Sequence, residues 1–312
     1  MFCSSLASSP WHKTECSNVD FAKRLLVLEE FDGANVYRPA KTEALMKEIY
    51  GPSMRWYFMY FKRSFVHRRD GVFKDYPALS TRDIFPMVYS IGNSYSQLDF
   101  NHNRSIDITC TLRGNKQMTT RLRVQTWVAE YVNNSANRVS NAVLKELNHD
   151  TRTKISKGYF DKMFNSKIIV TVNPANWEGD FRLWESMASG ALVMVDPLFV
   201  PYPHPLIDGK HVVFYDNHNK TDFMTKLDYY HKNPAEARKI AVAGYLFCMK
   251  YHRTSSMMDY FLRSAHIRML QNSGVEERLL PKYRYTAQYL MNATQRQHHL
   301  IRKHKRPGVY EH

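Results

Sequence analysis

Two kinds of apolar pattern alternate along this chain. One is a short β-branched or aromatic run closed by turn residues, which predicts a strand. The other is a longer stretch with apolar positions every three or four residues, which predicts a helix. In the first hundred residues Arg24–Leu28, Trp56–Phe61 and Phe85–Ile91 read as strands. Lys41–Tyr50 reads as an amphipathic helix ended by Gly51-Pro52. A polar stretch, Asn101-His102-Asn103-Arg104, reads as a linker. Beyond it Ile106–Leu112 is a strand, and Arg121–Tyr131 is a helix with Leu122, Val124, Trp127, Val128 and Tyr131 on its apolar face. Val139–Leu147 fits either element, and Lys157–Phe164 is a short helix. Lys167–Val172 reads as a buried strand, and Leu183, Trp184, Met187 and Ala188 recur at helical spacing from a start near Asp180. Gly190 stops that helix, and Ala191–Val195 is the next buried strand. After Tyr215 the pattern is helical to about Gln271, with Asn233-Pro234 marking a fresh helix start. Strands alternating with helices in this way predict an α/β chain with parallel sheets.

The stretch Ser166–Pro201 carries the most chemistry. After its first strand comes a polar turn, Asn173-Pro174-Ala175-Asn176, and then three acids, Glu178, Asp180 and Glu185. In a parallel sheet this is the mouth at the carboxyl ends of the strands, where ligands bind. The first turn of a helix offers free N–H groups and the positive end of the dipole, which suit a diphosphate. A carboxylate one turn further in, Glu185, is placed to accept hydrogen bonds from ribose hydroxyls. Arg182 is placed to contact phosphate or to orient Glu178. The plainer reading of Glu178 and Asp180 is as helix-start acids favoured by the dipole, with Asp180 the cap. Upstream, the basic turn Arg113-Gly114-Asn115-Lys116 follows a strand. Arg113 and Arg121 are therefore phosphate candidates, since a guanidinium grips phosphate oxygens in pairs. An ordinary solvated basic turn is the other reading.

Composition narrows the classes. The 312 residues are 44% hydrophobic and 13% aromatic, enough for two cores and incompatible with a disordered chain. The formal net charge of +15 favours anionic partners: nucleotide sugars, nucleic acid or an anionic surface. No window holds the ~18 consecutive apolar residues of a membrane span. Residues 1–20 are polar and Ser-rich and lack the apolar core of a signal peptide. The expectation is a cytoplasmic protein with no membrane anchor. Cys110 and Cys248 read as reduced core residues. The Arg302–Arg306 basic run reads as a solvated tail or a nucleic-acid patch, and nucleic acid is not the expected partner. No His and Cys spacing suits zinc. Glu30-Phe31-Asp32 and Glu178-Gly179-Asp180 are the nearest to a metal-binding acidic triplet. No metal or other cofactor is expected, with Arg113, Arg121 or Lys210 and the helix start near Asp180 holding a diphosphate.

The block Trp177–Glu185 with Ser189–Val193, continued by His204–Tyr215 and by the helices Asp222–His231 and Pro234–Tyr251, resembles the donor-binding half of GT-B glycosyltransferases. Within them it resembles the exostosin-like group, including the soluble exostosin-like xylosyltransferases of large algal viruses, the chloroviruses. The resemblance covers about residues 104–265. It implies two Rossmann-like domains with parallel sheets facing a cleft, and C-terminal helices returning to the first domain. The expected division is a flexible tail at 1–20, an acceptor-side domain at 21–103, a donor domain at 104–265, and a C-terminal helix with basic tail at 266–312. It implies transfer of a sugar, xylose above all, from a UDP-sugar to a glycan hydroxyl, in the host cytoplasm if the protein is viral. Glu178 and Glu185 match the family's paired glutamates with one residue fewer between them, which argues against assuming the retaining mechanism that goes with the longer spacing, and an inverting reaction is expected. An inverting reaction needs a general base. Asp32, after a strand at a glycine turn, is the first candidate, with His67 and Asp70 as alternatives. A Rossmann epimerase is disfavoured by the missing Gly-x-Gly-x-x-Gly. The competing reading is a non-catalytic basic protein that binds nucleic acid or acidic glycan.

Overall fold

Strands form in this chain where apolar runs can be covered on both faces, and helices form where one apolar stripe meets those faces. The computed structural model describes residues 25–29, 58–63, 84–92, 102–112, 119–144, 157–173, 179–198 and 202–273. These fall into two units. The first gathers the described residues up to Val88, Tyr202 and Pro203, and those from Met258 onward. The second runs from Tyr89 to Leu198 and from His204 to Met257.

The first unit holds a parallel sheet, β1 (Leu26–Glu29), β2 (Met59–Arg63) and β3 (Ile84–Met87), in that order. Leu28 sits opposite Phe61 and Phe61 opposite Phe85. The last helix of the described chain, Thr254–Asn272, enters this unit at Met258 and covers that face. Phe261 lies 4.6 Å from Phe61, centroid to centroid, and the Tyr260 hydroxyl donates to the Pro86 carbonyl at 3.1 Å.

Two sequence expectations shift here. The second strand, expected at Trp56–Phe61, forms over Met59–Arg63 and so runs on through Lys62-Arg63. Both side chains are fully buried. Glu29 explains Lys62: it lies directly opposite in the ladder, 3.0 Å from the ammonium, and also accepts from the Tyr60 hydroxyl. Burial pulls the Lys62 pKa below its usual value while Glu29 holds it up. The third strand stops at Met87, short of the expected Ile91, which lies in the second unit and bridges to Arg253 there.

The second unit is a five-stranded parallel sheet in the order β5-β4-β6-β7-β8. Its strands are β4 (Ile106–Thr109), β5 (Ala142–Val143), β6 (Ser166–Val170), β7 (Leu192–Val195) and β8 (Val213–Phe214). The helices are α1 (Thr119–Asn133), α2 (Lys157–Phe164), α3 (Phe181–Ala188), α4 (Lys220–Lys232), α5 (Pro234–Tyr251) and α6, the helix Thr254–Asn272. Ile108, Ile168, Val170, Leu192 and Met194 face Val124, Trp127 and Val128 of α1, Phe223 and Leu227 of α4, and Ala237, Ile240 and Ala241 of α5. On the opposite face Tyr159 and Met163 of α2 cover Ile169 and Ala191. Buried on both sides, these strands read as unbroken apolar runs, which is why they are visible in the sequence. Where α5 ends, His252 stacks on Trp184 of α3 with centroids 3.9 Å apart. Among the described residues no helix is long and apolar enough to cross a membrane.

Candidate functional site

The sheet order sets the site. From β4 the chain crosses to β5 on one side, and from β6 it crosses to β7 on the other. The crevice between the carboxyl ends of β4 and β6 is therefore a topological switch point, the usual ligand position in an open parallel sheet. Helix α1 follows β4 and helix α3 follows β6, so both helix N-termini flank the crevice.

Asp180 joins them. It is the N-cap of α3, in extended conformation, and its Oδ1 accepts the Leu183 N–H at 3.2 Å. Its Oδ2 accepts from Arg121 Nη2 of α1 at 2.8 Å and from Arg182 Nη1 at 3.3 Å. One carboxylate thus holds two guanidinium groups; the trio alone carries one net positive charge, Glu185 stands near Arg182 as a second acid, and each helix N-terminus adds roughly half an elementary positive charge. Burial is the largest influence on Arg182 and works against its charge, but Asp180, Tyr159, Glu185 and Cys110 together outweigh it, so its pKa is raised. Phe181, the first helical residue, stacks on Tyr89 at 3.5 Å, which anchors the helix start.

One turn further along α3, Glu185 is buried and its Oε2 accepts the Tyr159 hydroxyl at 2.9 Å. Burial, and next the Glu185 charge, push the Tyr159 pKa well up, so the phenol stays a donor. Cys110, in the segment after β4, feels the Arg182 charge, yet burial pushes its thiol up to about 12, so it is inert packing. The edge of the crevice is braced by Asp196 after β7. Asp196 Oδ1 accepts the Asn173 N–H and the Asn173 Nδ2, both at 2.8 Å, and its Oδ2 accepts Asn217 Nδ2 at 2.8 Å. Asn173 Oδ1 in turn accepts the Gly179 N–H at 2.9 Å, closing the turn before Asp180. The buried hydroxyls of Thr111 and Thr171, and Nε and Nη2 of Arg123, find no hydrogen-bond partner among the described residues.

Of the residues singled out in the sequence, the structure brings Arg121, Asp180, Arg182 and Glu185 together. It does not bring Lys210 to them. Lys210 lies in an exposed turn before β8, with Gly209 at φ 67°, at the amino end of that strand. Asp32, His67, Asp70, Arg113 and Glu178 lie outside the described residues. Sequence reasoning missed Tyr159, Asp196, Asn217 and Arg123. For Asp196 a signal existed, a carboxylate at the carboxyl end of an apolar strand. For Tyr159 none did, because an aromatic on a short helix reads as core. Among the described residues no group of three or more His, Cys, Asp or Glu side chains gathers in the manner of a metal site.

Residues 103–263 match the model of the family described as "Glycosyl transferase-like". Among solved structures, a glycosyltransferase from Rickettsia africae is similar over 85% of this chain and 83% of its own, at 12% identity and TM-score 0.53. TarM, known from S. aureus, is similar over 78% of this chain at 12% identity and TM-score 0.47, and this chain spans 50% of its length. HepE of Anabaena, solved with UDP and glucose, is similar over 77% of this chain and 71% of its own, at 7% identity and TM-score 0.49. No protein with a curated description matches the sequence. The fold is thus α/β with parallel sheets, that of the GT-B glycosyltransferases.

Proposed function

The chain belongs to the glycosyl transferase-like family, and from that premise we propose that it moves a sugar from a UDP-sugar to a glycan hydroxyl. The observation that carries this reading is the Arg121–Asp180–Arg182 trio at the switch point between two helix N-termini. A donor diphosphate bound there gains fixed positive charge that does not have to reorganise as the leaving group develops its own. Fixed cations of this kind support a metal-independent reaction. Glu185, one turn inside α3, accepts the ribose hydroxyls. Arg113 and Glu178 belong to the same donor site in this proposal. The exostosin-like resemblance supports xylose as the donor sugar, and the one-residue-shorter glutamate spacing supports inversion. Asp32 serves as the general base, with His67 and Asp70 as the alternatives.

The test is a thermal-shift panel of UDP, GDP, UDP-xylose, UDP-glucose, UDP-N-acetylglucosamine and GDP-mannose, with and without EDTA. A ligand at ~100 times its Kd adds about 2.7 kcal/mol. The expected result is a shift selective for UDP compounds, largest for UDP-xylose, unchanged by EDTA and lost in Glu185→Ala. A panel without any shift, together with salt-dependent binding of polyanions, establishes the competing reading of a non-catalytic basic binding protein.

A further inference from the structure

We propose that Tyr159 is a positioning residue of the donor site: its hydroxyl fixes the Glu185 carboxylate in the orientation that receives the ribose. The inference rests on the donor-site reading above.

Tyr159 sits in the first turn of α2, the helix that leads into β6. That helix runs antiparallel to the strand, so its first turn lies at the carboxyl edge of the sheet, beside the crevice. The ring is 4% exposed and is locked by Met163, Ile169 and Ala191. Its direction is therefore set by the core and not by the site. From this fixed ring the hydroxyl reaches Glu185 Oε2 at 2.9 Å, across 26 residues of sequence. A glutamate needs such a partner. Its terminal torsion is broad, so the carboxylate plane of a helical Glu is not fixed by its own rotamer. A site that binds two vicinal hydroxyls needs that plane held, and a supporting donor anchored in the core supplies the restraint. The charges around it fit the role. Tyr159 lies in the field of Asp180 and Arg182 as well as Glu185, so it belongs to the same electrostatic cluster as the phosphate trio. Burial keeps the phenol protonated, so the bond runs from Tyr159 to Glu185 at every pH near neutrality.

The experiment compares UDP with 2′,3′-dideoxy-UDP by titration calorimetry on the full chain, for the wild type, Tyr159→Phe and Glu185→Gln. Phenylalanine keeps the ring in its packing and removes only the hydroxyl. The expected result is a roughly five- to tenfold loss of UDP affinity in Tyr159→Phe, the scale of one lost hydrogen bond, with dideoxy-UDP affinity unchanged. A merely structural tyrosine weakens both nucleotides alike or neither, and either result overturns the proposal. Glu185→Gln separates the two layers. If it abolishes the preference for UDP over dideoxy-UDP and Tyr159→Phe does not reduce it, only the Tyr159 inference falls. If Glu185→Gln leaves the preference intact, or the wild type binds no UDP, the ribose reading falls and takes Tyr159 with it.

Discussion

Asp180 makes three bonds with one carboxylate, and they differ in how far apart their partners lie along the chain. The cap to Leu183 spans three residues and is visible from the acid at a helix start. The bond to Arg121 spans 59, and nothing local announces it. Arg121 read from the sequence is a basic residue in the first turns of a helix, hence a candidate for phosphate or for solvent. Its burial against Asp180 belongs to the tertiary structure alone. Removing the acid's charge takes away the carboxylate that pairs with two guanidinium groups in a largely buried place. Asp180→Asn retains a capping oxygen but loses the pairing, and it is expected to cost about 3–5 kcal/mol in urea unfolding. Asp180→Ala is expected to cost about 1 kcal/mol more through the lost cap. If Asp180→Asn unfolds like the wild type, the two arginines are held by something other than this carboxylate.

Elements were legible where periodicity and punctuation agreed. The helices Lys157–Phe164 and Pro234–Tyr251 have their expected bounds, the second because proline fixes its first turn. The strand expected at Lys167–Val172 forms its ladder over Ser166–Val170, its last rung closed by the Thr171 N–H donating to the Met194 carbonyl at 2.9 Å. Val139–Leu147, ambiguous in sequence, supplies a two-residue edge strand, Ala142–Val143, within its described part, with Arg138 before it in the left-handed region at φ 53°. What sequence could not express is how closely α5 approaches the turn before β8. A Cβ on Gly244 would lie 2.3 Å from the His211 carbonyl oxygen. That atom is backbone and cannot swing aside, so Gly244→Ala is expected to destabilise by about 1–3 kcal/mol. Gly158 in α2 has nothing within 4 Å of such a Cβ. Gly158→Ala is therefore expected to be neutral or to stabilise by up to about 1 kcal/mol. Chemical denaturation of the pair checks both signs, and equal effects would refute the close approach.

At the scale of the molecule, the second unit carries an acid lability. His252 is stacked on Trp184 with neither ring nitrogen hydrogen-bonded among the described residues. Burial, and next the neighbouring His204, push its pKa down to about 3. Burial, then the Lys250 charge, bring His204 to about 4, and burial, then Lys210, bring His211 to about 4. The unfolded chain binds protons at these rings from the ordinary histidine value of 6.5 downward, whereas the folded unit does not until pH 3 to 4. Stability is therefore full above pH 6.5 and falls as pH drops toward 4. Between those limits each fully buried ring costs about 1.4 kcal/mol per pH unit. Thermal unfolding across pH 7 to 4 checks this; His252→Phe, which keeps the stack, is expected to flatten the slope, and an unchanged slope would refute the assignment. The two-unit chain path has a separate consequence for biosynthesis. Phe61 leaves the ribosome early, but Tyr260 and Phe261, the rings that pack on it, are translated only after the whole second unit. At roughly 5–20 residues per second, the nascent first sheet waits on the order of ten seconds with that aromatic face bare, a long enough interval for a ribosome-bound chaperone to be its first occupant.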